Sequence, residues 1–133
     1  NKTYSDYVKG YKIDESNFWI GLDNVYRFFL IYNSLQFKME AIFENDAVIA
    51  SWKNTGVSID SPSNFYNIDF SGSSTSASGS GYSISVSSCL SSGGKPFSTW
   101  DNDHDGSPSN LAAQAGAGWY FGSSLSCNPL GQL

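Results

Sequence analysis

The chain has 133 residues and a net charge of −5, with 7 Lys and Arg set against 12 Asp and Glu. This length fits one domain, the absence of any Lys/Arg cluster argues against a nucleic-acid partner, and no apolar run approaches the ~20 residues of a membrane-spanning helix. Aromatic residues make up 16 % of the chain and charged residues 14 %, so Trp, Tyr and Phe must carry the core, a balance that favours β-rich, loop-rich architecture.

In chain order, Asn1-Lys2-Thr3 is a glycosylation sequon, which fits secretion, although three-residue sequons also arise by chance. The chain opens with neither an initiator Met nor a leader, the pattern expected of a processed or partial sequence. Tyr4, Tyr7, Val8 and Tyr11 fall at helical spacing, which predicts a short helix capped by Thr3 and ended by Gly10. The apolar run from Phe18, broken at Gly21, reads as a buried strand, followed by a short helix capped near Asp23; capping is the commoner use of Asp23 and Asn24, ahead of catalysis.

Leu35, Phe37, Met39, Ala41 and Phe43 alternate with polar residues, so residues 35–43 predict a half-buried strand. Glu44-Asn45-Asp46 turns it into a second strand, Ala47 to Trp52, giving an antiparallel hairpin. Tyr66, Ile68 and Phe70 predict another strand over residues 65–70. Residues 71–94 are rich in Ser and Gly and read as loop or linker, except that Tyr82 to Ser87 alternates as a strand would. Leu111 to Ala115 fits one helical turn. Trp119, Tyr120 and Phe121 then follow small residues, an arrangement that packs a core in most proteins and lines a pocket in fewer.

The densest chemistry lies at Asp101, Asp103 and Asp105, between Phe97 and a Gly/Pro/Ser loop. Carboxylates crowded this closely repel, and a fold that gathers them usually supplies a cation. Their oxygens are hard ligands, which points to calcium; the open alternative is a solvated acidic turn. An EF-hand is excluded, because the twelfth position from Asp101 is Ala112 where that loop needs a bidentate Glu. Two carboxylates with backbone carbonyls and water are the expected set. No metal-binding Cys/His cluster is present, so zinc has no support.

Catalysis finds little footing. His104 is the only histidine, no Gly-x-Ser-x-Gly elbow occurs, and no Ser or Cys has an evident base, so no enzyme is expected. The two cysteines, Cys89 and Cys127, pair most simply in a secreted chain, closing a loop worth about 4 kcal/mol. Buried free thiols, or partners elsewhere, are the other possibility.

Four stretches together resemble the fibrinogen-like domain family: Tyr4-x-x-Tyr7-x-x-Gly10-Tyr11, Phe18-Trp-Ile-Gly-Leu-Asp-Asn-Val-Tyr-Arg27, Phe43-Glu44-Asn45, and Phe97-Ser-Thr-Trp-Asp-Asn-Asp-His-Asp105. Gly118-Trp-Tyr and Leu130-Gly131 continue the match, which covers nearly the whole chain, read as one partial domain over residues 1–133. The resemblance implies a secreted α+β fold with an antiparallel sheet, short helices and long loops, here the central portion of the domain and truncated at both ends. It implies one calcium held by the carboxylates of Asp103 and Asp105 and the carbonyls of Ser107 and Ser109, with Asp101 just outside. It also implies a neighbouring recognition pocket, to which Trp119, Tyr120, Ser124 and Leu125 correspond.

Departures from the family qualify that pocket. Its last disulfide would join positions occupied by Leu111 and Ser124, and Cys89 with Cys127 stands as a replacement. An acetyl-pocket tyrosine corresponds to Ala115 and a following histidine to Leu125, so the usual acetyl-sugar site does not carry over. The expected function is a secreted, calcium-binding, lectin-like recognition domain that takes glycans or acetylated or acidic groups without chemistry. The alternative is an extracellular assembly module that has lost sugar binding. Expected partners are a glycan or an extracellular protein, with homo-oligomerisation or membership of a larger complex to cover open sheet edges.

Overall fold

The computed structural model describes residues 1–42, 48–78, 93–125 and 127–130. Helix α1, Tyr4–Lys9, starts as its sequence predicts: the Thr3 hydroxyl accepts from the Asp6 N–H, and the Asp6 carboxylate accepts from the Thr3 N–H, a reciprocal box. Gly10 ends it at φ 87°, where a Cβ would lie 2.8 Å from the carbonyl oxygens of Trp19 and Ile20. Only glycine meets both demands.

Strand β1, Tyr11–Lys12, pairs antiparallel with β2, Phe18–Trp19. The expected buried strand from Phe18 is corrected here, because Phe18 is 65 % exposed. A two-residue strand sends neighbours to opposite faces, and Trp19 takes the inner one, its Nε1 donating to the Tyr7 carbonyl at 2.8 Å.

Helix α2, Leu22–Tyr32, is longer than the short helix expected, and its N-cap is Gly21 rather than Asp23. Asp23 sits in the first turn, where a carboxylate complements the helix dipole, and accepts a hydrogen bond from the Tyr66 hydroxyl. Asn33, in the left-handed region at φ 59°, closes the helix.

The main sheet is built on β4, Val48–Ile59, which pairs along one side with β3, Leu35–Ile42. The burial of β3 alternates residue by residue as its sequence predicts. The intervening turn and Phe43 lie outside the described residues. On its other side β4 meets two partners in succession, β5 (Ile68–Phe70) against Val57–Ile59 and β6 (Ser74–Ser78) against Ala50–Asn54. Those partners explain why β4 runs well beyond Trp52.

Two further expectations are corrected. Phe65 and Tyr66 are not strand: they follow a 3₁₀ turn at Pro62–Asn64 with φ of 52° and 49°, so pairing begins only at Ile68. Residues 74–78 are strand rather than linker, held by the backbone ladder to β4 while Ser74, Thr75 and Ser76 face solvent. The expected strand at residues 82–87 lies outside the described residues.

Helix α3, Leu111–Ala115, forms the single turn expected and is capped by Asn110, whose Oδ1 accepts from the Ala113 N–H at 2.7 Å. An aromatic chain joins these parts. Tyr7 meets Phe97 at 5.1 Å between ring centroids, Phe97 meets Tyr120 at 5.0 Å, Tyr120 meets Trp119 at 5.4 Å, and Phe37 bridges Trp119 to Trp52. Each fully buried ring is worth roughly 1.5–3 kcal/mol by burial, with about 0.5–1.5 kcal/mol more per well-placed pair. The result is an α+β fold whose aromatic core reaches up to the root of the acidic loop.

Candidate metal centre in the acidic loop

Phe97, Ser98 and Thr99 are fully buried and anchor the loop. Ser98 exchanges both backbone hydrogen bonds with Trp119, at 3.0 and 3.1 Å, and Thr99 closes a tight turn on Asn102. The loop therefore rises from the core rather than from a flexible surface.

Each acidic side chain has a different occupation. Asp101 Oδ1 accepts from the Thr99 hydroxyl at 2.7 Å and from the Tyr4 N–H at 3.0 Å, so it serves the fold. Next to it, Trp100 Nε1 donates to the Lys2 carbonyl at 3.1 Å. Asp103 is exposed, with Oδ1 accepting from the Asp105 N–H at 3.2 Å. Asp105 is half-buried and gripped from two sides, by the Ser107 N–H on Oδ1 and the Leu111 N–H on Oδ2, both at 2.8 Å. The Gly106 N–H donates to the Gly122 carbonyl at 2.9 Å and pins the turn.

His104 points the other way. Its backbone N–H donates to the Ser98 hydroxyl at 3.0 Å, and its ring stacks on Phe65 with centroids 3.5 Å apart. The turn that places Phe65 at positive φ thus supplies a platform for the loop, a function with no signature in the strand-like spacing of residues 65–70.

Ser107 and Ser109 contact each other through their hydroxyls at 3.2 Å, and Gln114 Nε2 donates to Ser109 Oγ at 3.0 Å. Their carbonyls accept no hydrogen bond among the described residues. Carbonyl and carboxylate oxygens are hard donors, the kind calcium takes. Among the described residues no three His, Cys, Asp or Glu side chains converge, so any cation here depends on those carbonyls.

The four pocket candidates are divided by the fold. Trp119 and Tyr120 are buried core residues, while Ser124 and Leu125 are exposed. Ala115 packs half-buried against the core. A cleft of about 510 Å³ opens instead between Ile59, Asp60, Asn67, Asp69, Gly93 and Gly94, residues that no motif singled out.

With this geometry in place, comparison with known proteins is decisive for kinship. The family model for the C-terminal globular domain of fibrinogen beta and gamma chains matches residues 1–133. The chain belongs to the fibrinogen C-terminal domain family. Among curated relatives, human fibrinogen-like protein 1 is 28 % identical over 135 residues, covering 96 % of this chain and 42 % of that protein. Human tenascin-R is 29 % identical over 120 residues, covering 90 % of this chain and 8 % of that protein. The chain thus spans less than half the length of these relatives.

Solved structures agree on the fibrinogen-like fold. The globe domain of human ANGPTL6 superposes with a TM-score of 0.73 at 24 % identity, over 92 % of this chain and 50 % of that one. Lamprey fibrin D-dimer, complexed with the peptide Gly-His-Arg-Pro-amide, gives 0.67 at 16 % identity, over 91 % and 40 %.

Asn1 of the sequon is exposed. Cys127 is half-buried against the core and no described cysteine is a free thiol, while Cys89 lies outside the described residues. No helix among the described residues is long and apolar enough to cross a membrane.

Proposed function

We propose that this fibrinogen-like chain is a secreted, calcium-binding recognition domain, lectin-like and without catalytic chemistry, that binds glycans or acetylated or acidic groups non-covalently. The observation that carries the reading is the Asp105 carboxylate, held by the N–H groups of Ser107 and Leu111, in a loop with Asp103 and the Ser107 and Ser109 carbonyls, which accept no hydrogen bond among the described residues. Calcium, when bound, supplies the positive charge that offsets the repulsion between Asp103 and Asp105. The chain's own contribution is orientation: the two amide bonds fix Asp105, and the Gly106 anchor to Gly122 sets the turn that presents the carbonyls. Secretion is supported by the exposed sequon and by family membership. Residues 1–133 then represent the central sheet region, the calcium loop and part of the pocket region of such a domain.

Melting in excess calcium and in chelator tests the metal; a higher melting temperature in calcium is expected, and equal values overturn the site. Calorimetry against acetylated and acidic glycans tests the ligand class, and no binding at millimolar concentration rejects it.

A second reading, an extracellular assembly module, is favoured by exposed apolar side chains on α2, where Ile31 and Tyr32 are 70 % and 68 % exposed. Such a surface, when contiguous, marks protein contact. Retention by an extracellular protein partner, lost on Ile31→Ser, distinguishes this reading from the first.

A further inference from the structure

Phe65 joins the 3₁₀ turn to the acidic loop at two places. Its carbonyl accepts from the Phe97 N–H at 3.0 Å, at the loop root. Its ring lies on the His104 ring, with planes 23° from parallel. His104 stands between Asp103 and Asp105, and Asp103 Oδ1 accepts from the Asp105 N–H at 3.2 Å, closing a turn around it. The backbone of His104 is tied inward to the fully buried Ser98, so the residue at the centre of that turn is held by its N–H from below and by its ring from Phe65.

The conformation that presents the Phe65 ring is an unfavourable one. Phe65 and Tyr66 take φ of 52° and 49°, the left-handed region that a residue with a Cβ avoids. Such a conformation persists only where the surroundings impose it. Here the turn imposes it through three backbone bonds, from the Phe65 N–H to Pro62, the Tyr66 N–H to Ser61 and the Asn67 N–H to Asn64, at 3.1, 3.2 and 3.1 Å. Helix α2 adds a fourth restraint, since the Tyr66 hydroxyl donates to Asp23.

We propose that Phe65 is a positioning residue for calcium: by holding the His104 ring it fixes the backbone between Asp103 and Asp105, and so sets how tightly the loop takes the ion. The inference rests on the calcium reading above and extends it to a residue outside the loop. The physical reason is preorganisation. A loop already ordered before the ion arrives has less freedom to lose on binding, and the difference appears as affinity. A stack that served packing alone would instead raise stability equally with and without calcium and leave the affinity untouched.

Titration calorimetry of the intact chain with calcium chloride, beside melting in chelator, tests the proposal. Phe65→Asn removes the ring while keeping a residue that tolerates the left-handed region. It is expected to raise the calcium Kd by roughly two- to tenfold, the worth of one well-placed ring pair. Phe65→Leu, which keeps apolar bulk without a ring, is expected to weaken binding likewise, and Phe65→Tyr to leave it unchanged. In a His104→Ala background Phe65→Asn should cost no further affinity, because the ring it acts through is already gone. A Kd unchanged by both ring-removing substitutions, even with melting lowered in chelator, overturns the proposal. So does a loss that persists undiminished in the His104→Ala background, or one that Phe65→Tyr fails to restore. An unmodified chain that takes up no calcium overturns the metal reading and this inference together, whereas a chain that binds calcium regardless of residue 65 overturns the inference alone.

Discussion

Asp101 accepts a hydrogen bond from the backbone N–H of Tyr4 at 3.0 Å, across 97 residues of sequence. The first carboxylate of the most acidic stretch is thus committed to the start of the first helix. Asp101→Ala removes this bond and the one from Thr99, and is expected to cost about 1 kcal/mol of stability while leaving most of the calcium response. Urea unfolding in calcium and in chelator separates the two effects.

Asp103→Ala makes the opposite forecast. Among the described residues Asp103 holds only a local bond, from the Asp105 N–H, so stability without calcium should barely change. The gain from calcium, ~2.7 kcal/mol at a hundredfold excess over the dissociation constant, should vanish. The same pair of unfolding curves decides it.

Tyr66 is held as a neutral phenol, its pKa raised by burial first and by the Asp23 carboxylate second; burial also pushes Tyr4 up to about 12. The raised values set the sign. Stability from these groups is complete below the ordinary tyrosine pKa of 10.0 and is lost as pH climbs through the folded values. Melting temperature should fall above pH ~10. Tyr66→Phe should lower stability at neutral pH by roughly 1.5–3 kcal/mol, through the lost bond to a charged group, and make the alkaline decline shallower.

At the acid end, the Thr3 N–H and then its hydroxyl hold the Asp6 carboxyl below its ordinary 3.8. A depressed pKa contributes stability that is present above the unfolded value and lost as pH falls through the folded one. Thr3→Ala should lower the melting temperature by roughly 2–4 °C at neutral pH and flatten the decline below pH ~4. Melting followed by circular dichroism from neutral to strongly acid buffer reads both.

Gly118 lies where a Cβ would come within 2.8 Å of the Phe97 and Tyr7 rings and 2.9 Å of Thr99. Its N–H donates to the Tyr7 hydroxyl at 2.9 Å. Gly118→Ala should overpack the junction of α1 and the loop root and cost about 1–3 kcal/mol, a loss measurable by denaturant unfolding.

Much of the fold is legible in the sequence where side chains carry the signal. Thr3 and Gly10 mark α1, alternation from Leu35 marks β3, and Trp119 to Phe121 mark core. Legibility fails where the backbone carries it. Ser74 to Ser78 pair through their ladder with no apolar alternation to announce it. Phe65 and Tyr66 have strand-like spacing, yet positive φ puts one ring under His104 and the other hydroxyl on Asp23. At the site, the acidic spacing is plain, but the division of labour is not, since the donors that fix Asp101 and Asp105 are backbone amides of Tyr4, Ser107 and Leu111.

Two bonds, Tyr4 N–H to Asp101 and Trp100 Nε1 to the Lys2 carbonyl, bolt the first residues onto the root of the acidic loop. Segments tied in this way open together, so amide exchange at Tyr4 should slow whenever the loop is clamped. Thermodynamic reciprocity then runs outward as well as inward. A bulky sugar on Asn1 that strains Lys2 would loosen whatever the loop holds, and a tightened loop would shield the same residues from proteolysis.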